Sequence, residues 1–135
     1  MTNIDRFKNS SRASQYDRFI TNYKYNSSCI ESTVLSTVDN IKKGERSFVI
    51  YGEPQSGKTD MMIALTAKLV DLDYKMIVVL VQNNLTLEEQ NRSRFVDSGL
   101  NPKPEIFHTI LDADHDISQR HIIFCTKEHN NLSKL

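Results

Sequence analysis

The eight residues Gly52-Glu53-Pro54-Gln55-Ser56-Gly57-Lys58-Thr59 constrain this chain more than any other feature in it. They fit G-x-x-x-x-G-K-[ST], the spacing of a phosphate-binding P-loop, which demands a strand before it and a helix after it. Both are legible. Ser47-Phe48-Val49-Ile50-Tyr51 reads as a short buried strand, and the run from Met61 to Val70 reads as a helix. The residue types follow from the chemistry. Gly52 and Gly57 permit a tight turn whose N–H groups approach phosphate oxygens. A helix starting near Lys58 adds free N–H groups and the positive end of its dipole. In such a loop the lysine, here Lys58, reaches the β- and γ-phosphates, and the hydroxyl of Thr59 ligates Mg²⁺. The candidate nucleotide-binding residues are Gly52, Glu53, Pro54, Gln55, Ser56, Gly57, Lys58, Thr59 and Asp60. Lys58 and Thr59 are the candidate catalytic residues, Thr59 is the candidate metal ligand, and ATP with Mg²⁺ is the expected cofactor set.

Glycine fills about 7% of an average protein, and this chain has 4 in 135 residues. Two of them at this spacing, ahead of Lys-Thr, weigh against a coincidental strand-to-helix turn with a surface lysine. The length suits one domain with a real core. A formal net charge of zero argues against the overall basic field of a nucleic-acid coat, but leaves room for a local basic groove. Cys29 and Cys125 are far apart and lack metal-type spacing, and no signal peptide is visible, so a reducing cytoplasm is the expected compartment. No apolar run approaches the roughly 20 residues that span a bilayer.

Along the chain, residues 1–26 read as a polar lead-in, disordered or weakly helical, and 27–135 as a partial P-loop motor domain. Ile30, Val34, Val38 and Ile41 recur at helical spacing, with Ser27 or Ser28 as cap and Gly44 as stop. Lys75 to Val81 is a nearly continuous apolar run, as expected of a central parallel strand covered on both faces. Thr86-Leu87-Glu88-Glu89 matches a capping box for a helix from Leu87 to about Asp97, which Gly99 ends. Glu105 to Leu111 is ambiguous between strand and loop, and His121 to Thr126 reads as another buried strand. Strands alternating with helices imply an α/β fold, a P-loop NTPase-type three-layer sandwich with a parallel sheet, here incomplete.

Gln55-Ser56-Gly57-Lys58-Thr59, the strand Ile77-Val78-Val79-Leu80, and Asn83-Asn84-Leu85 followed by Gln90 and Arg92 carry a family resemblance. The segment from Gly52 to Arg94 resembles the Z-one domain, a helicase-like ATPase module of bacterial or phage endonuclease-associated and defence proteins. Looser similarity continues to the end, where Lys127-Glu128-His129-Asn130 replaces the family's usual lysine pair and asparagine. The resemblance implies the fold of superfamily-two helicase motors and ATP hydrolysis coupled to DNA. It also implies that the acidic strand end and the arginine finger of the motor lie beyond Leu135. This chain then reads as the front half of the first motor lobe, inactive in isolation, whether as a truncated gene, a fragment or a split subunit that a chain carrying the rest would complete. In such motors the loop after the second strand touches the nucleic-acid backbone, which makes Asn83, Asn84, Arg92 and Arg94 the candidate DNA contacts. The plainer reading of those four is a polar loop and a solvated helix face.

Other features are weaker. Asp112 and Asp114 resemble a degenerate acidic strand end. As an EF-hand start they fail, because Ile117 and Ile123 stand where Gly and Glu are needed. His121 and Cys125 lack further ligands and read as a strand-edge His and a core Cys. Tyr16, Phe19, Tyr23 and Tyr25 precede the loop and could stack a base, although packing aromatics are commoner. Two other function classes remain open. One is a P-loop nucleoside or nucleotide kinase, for which no lid with paired arginines is visible. The other is a non-enzymatic P-loop module that docks on a partner.

Overall fold

A computed structural model describes residues 14–53, 56–82, 85–106 and 119–126. Pro54, Gln55, Asn83, Asn84, Asp112, Asp114 and Lys127 to Asn130 lie outside the described residues. The chain forms two compact units, one up to Asp71 and one from Leu72 on.

The first unit holds α1 (Gln15–Asn22), α2 (Ser28–Lys42) and α3 (Lys58–Asp71). Its core forms because α3 presents small and branched residues on one face. Ile63, Ala64, Ala67 and Val70 are all buried, and the i, i+1, i+4, i+7 spacing sets them in one stripe. Ile30, Val34 and Val38 supply the buried face of α2, and each buried branched side chain contributes about 1.5–3 kcal/mol. α2 ends where Gly44 takes a φ of 88° and its N–H donates to the Ile41 carbonyl at 3.0 Å. Ser27 sits at the N-cap but makes no capping bond with its side chain. Its hydroxyl donates to Glu31 Oε2 at 2.8 Å, and Asn26 Oδ1 accepts from the Ser28 N–H at 2.9 Å.

Helix α1 lies within the polar lead-in, and polarity alone does not explain its order. Two caps and one buried aromatic do. Ser14 Oγ accepts from the Asp17 N–H at 3.0 Å. Asp71, the last residue of α3, accepts from the N–H groups of Gln15 at 3.0 Å and Tyr16 at 2.9 Å, one on each carboxylate oxygen. A carboxylate there satisfies orphan donors and meets the positive helix end. Tyr16 is 7% exposed, with Lys68 Nζ 5.0 Å from its ring centroid. Burial, then Glu31 and Asp17, push its phenol above the ordinary value. Asp71→Ala is expected to destabilise the first unit by about 1–2 kcal/mol, the usual worth of a cap plus a dipole contact. Urea denaturation measures this, and hydrogen exchange should show the loss concentrated in α1; an unchanged midpoint would remove the cap from the account.

The second unit is built on a parallel sheet of β1 (Met76–Val81), β2 (Glu105–Ile106) and β3 (His121–Thr126), with α4 (Leu85–Asp97) between β1 and β2. The order is β1-β3-β2, with Met76 opposite His121 and Val81 opposite Thr126. The parallel α/β expectation therefore holds in this unit. Among the described residues the central position goes to β3, not to the 75–81 run. Ile122, Ile123, Phe124 and Cys125 are all buried, whereas Met76, Val78 and Leu80 of β1 are exposed. Hydropathy reports how apolar a run is, but neighbours on both sides decide which strand is central. Phe95 of α4 meets Phe124 edge-on at 4.8 Å between centroids, which anchors that helix to the sheet unit. Gly99, with a φ of 76°, follows the helix end.

The strand expected at Ser47 to Tyr51 does not form: these residues carry no helix or strand assignment. Val49 is 92% and Tyr51 86% exposed. A β-strand exists only through a neighbour's hydrogen bonds, and an apolar run does not create that neighbour.

Candidate nucleotide-binding site

The described part of the loop has the geometry that its glycines allow. Gly57 takes a φ of 81°, a left-handed conformation that costs other residues energy. It turns the chain directly into α3, whose first residue is Lys58. The Met61 N–H donates to the Gly57 carbonyl at 3.0 Å, and the Ser56 N–H donates to the Glu53 carbonyl at 3.1 Å. Gly52 is needed for space. A Cβ there would stand 2.9 Å from Ser56 Oγ and 3.0 Å from Lys58 Cγ. That close approach lets Lys58 fold back, and its Nζ donates to the Gly52 carbonyl at 2.9 Å. The loop thus holds its lysine over its own mouth, at the positive end of a 14-residue helix.

Beside the loop lies a cavity of about 370 Å³, within the range of small-ligand pockets. Tyr51, Gly52, Glu53, Gly57 and Lys58 form one wall, and Tyr23, Asn26, Cys29, Ile30 and Thr33 form the other. Sequence reasoning singled out Gly52, Glu53, Ser56, Gly57 and Lys58 of the lining and missed Asn26, Cys29, Ile30, Thr33, Ile50, Tyr51 and Met61. Nothing in the spacing of α2 relative to the loop could have revealed the first four. Of the four aromatics before the loop, Tyr23 lines the cavity. Tyr16 is core, and Tyr25 is an exposed ring edge-on to Tyr23 at 5.9 Å.

The first unit supplies a glycine loop that turns into a helix, and the second a parallel α/β sheet. The family model described as type III restriction enzyme, res subunit matches residues 19–134, and the chain belongs to that family. Its class is therefore the helicase-like P-loop domain. No curated protein and no solved structure matches the chain.

The residues fit a nucleotide phosphate chain: a cradle that a Cβ at Gly52 would fill, a helix N-terminus and an ammonium at the mouth. They also fit Mg²⁺, which takes few protein ligands and shares its shell with phosphates and water. Among the described residues no group of three or more His, Cys, Asp and Glu could hold a metal by itself. The candidate DNA contacts lie in the second unit. Arg94 is exposed and Arg92 half-buried on α4. They are two residues apart, so they do not share a helix face. His121 Nδ1 is 3.6 Å from Glu105 Oε2 across β3 and β2, and Cys125 is buried. Among the described residues no helix is long and apolar enough to cross a membrane.

Proposed function

We propose that the chain binds Mg-ATP through Gly52 to Thr59 as the nucleotide-binding part of a DNA-directed, helicase-like ATPase in a bacterial or phage restriction or defence system. The Z-one domain is the finer family reading. The observation that carries the proposal is the left-handed Gly57 leading into α3 with Lys58 folded over Gly52. Lys58 would contact the β- and γ-phosphates. Thr59 would hold Mg²⁺, which supplies charge neutralisation to the phosphates when bound. Isothermal calorimetry with ATP and Mg²⁺ tests the binding, and phosphotransfer assays on nucleosides separate this reading from a kinase.

The exposed apolar residues ahead of the loop support a partner that carries further strands of the motor. Phe48, Val49 and Tyr51 are exposed, and a strand laid beside them would satisfy their backbone groups and cover their side chains. The DNA reading is a separate proposal, resting on amide and guanidinium donors after β1. Asn83, Asn84, Arg92 and Arg94 would contact phosphate oxygens without reading sequence. Binding should be weak, indifferent to sequence and lost as salt rises, with a slope of about one per arginine removed. Filter binding at low salt checks this. Arg92→Ala combined with Arg94→Ala is expected to abolish retention, with the larger share from the exposed Arg94. Retention unaffected by the double substitution would leave α4 with a solvated face and no DNA role.

A further inference from the structure

We propose that Tyr23 is a positioning residue of the phosphate loop, its hydroxyl fixing the Asp60 carboxylate and offsetting its charge beside Gly57 at the anion-binding end of α3. This rests on the reading of Gly52 to Thr59 as a nucleotide loop. Asp60 lies in the first turn of α3, two residues after Lys58. A carboxylate there favours the helix through the dipole. The same charge opposes a polyphosphate arriving at that helix end, because like charges a few ångströms apart repel. Its orientation therefore matters to the ligand.

One hydrogen bond from α1 helps to orient it. Tyr23 Oη donates to Asp60 Oδ2 at 3.1 Å in a partly buried setting. The same hydroxyl lies 3.7 Å from where a Cβ on Gly57 would stand, so it touches the loop at its left-handed residue. The ring is held on two sides, stacked on Phe19 at 5.7 Å and edge-on to Tyr25 at 5.9 Å. The backbone is held as well: Tyr23 closes α1, and its N–H donates to the Ile20 carbonyl. Helix α1 runs antiparallel to α3 and is fastened to it at both ends. Asp71 caps it at the C-terminal end of α3, and Tyr23 grips Asp60 at the N-terminal end. The hydroxyl is thus placed by tertiary structure and is not a chance surface contact. The hydrogen bond offsets part of the negative charge beside the loop and restricts the rotamer.

The test is a double-substitution cycle read by calorimetry with Mg-ATP on the full chain, with Lys58→Ala alongside. Tyr23→Phe keeps the ring and removes one oxygen, and is expected to weaken binding about three- to tenfold, a loss in the range for a partly exposed bond to a charged group. Asp60→Asn removes the charge and is expected to strengthen binding about twofold or more. In the Asp60→Asn background, Tyr23→Phe should change affinity by less than about twofold, because coupled residues lose their separate effects. An equal loss in both backgrounds means that Tyr23 only packs, and overturns the proposal. Unchanged affinity in Tyr23→Phe overturns it too. If Tyr23→Phe lowers the melting temperature, Asp60→Asn alone decides, and affinity below wild type refutes the charge argument. If Lys58→Ala leaves affinity unchanged, the nucleotide-loop reading falls and takes this proposal with it. If Lys58→Ala abolishes binding while Tyr23→Phe does nothing, only the positioning role falls.

Discussion

Replacing Lys58 by alanine is expected to weaken Mg-ATP binding by about 1.5–3 kcal/mol, roughly ten- to more than a hundredfold in Kd. Lys58 Nζ rests 2.9 Å from the Gly52 carbonyl. Among the described residues no carboxylate pairs with it. A neutral carbonyl releases an ammonium more readily than a carboxylate would, so the charge is available when phosphate oxygens arrive. Its loss should be felt almost wholly in binding. Lys58 is exposed, and exposed substitutions away from caps and cores usually move stability by less than about 0.5 kcal/mol. Calorimetric titration of both proteins, with melting curves as a folding control, gives the answer. Equal affinities would sink the nucleotide-loop reading.

The second large effect concerns rate. The chain by itself is expected to bind ATP and release phosphate at close to background rates, with or without DNA. Binding needs ground-state contacts, which the loop offers, whereas rate needs contacts stronger in the transition state. An arginine finger alone contributes roughly 10³–10⁵ in rate in P-loop enzymes. Among the described residues lining the cavity, Lys58 is the cation and no arginine is present. The Arg120 guanidinium is paired with Asp73. Phosphate release should rise when a chain carrying an acidic strand end and an arginine finger is added. Robust turnover by the purified chain alone, abolished by Lys58→Ala, would refute the half-lobe reading. It would also direct attention to Asp112 and Asp114 as Mg²⁺ ligands.

Both predictions start from eight residues whose reading as a phosphate loop rests on local chemistry. Gly52 and Gly57 are where they must be for steric reasons that a sequence states directly, and the bond from Lys58 to Gly52 spans only six residues. Helix α2 and the stop at Gly44 were legible for the same reason, as was the helix ending at Asp97, although it begins at Leu85, so that Thr86 lies inside it and not at the expected capping position. Periodicity and end signals act within a few turns of chain. The capping of α2 was only partly legible, since Asn26, not Ser27, supplies the oxygen that meets a helix N–H. Any of several short polar side chains before a helix can cap it, and local geometry selects one.

The remaining features depend on partners distant in sequence. Helix α1 is held by Asp71, more than fifty residues away, so its polar composition said nothing about its order. Tyr23 reaches Asp60 across 37 residues, which turns one of several upstream aromatics into a wall of the cavity. The rank of the strands came from outside the strands themselves. β3 is central because β1 and β2 both pair with it, and Ser47 to Tyr51 is no strand because nothing pairs with it among the described residues. The sequence by itself determined the phosphate loop, the helix that starts at Lys58 and the α/β character, since these follow from side-chain size, periodicity and backbone freedom. Tertiary structure alone decided the second wall of the cavity, the hold on Asp60 and which apolar run lies in the middle of the sheet, because each depends on contacts that sequence spacing does not encode.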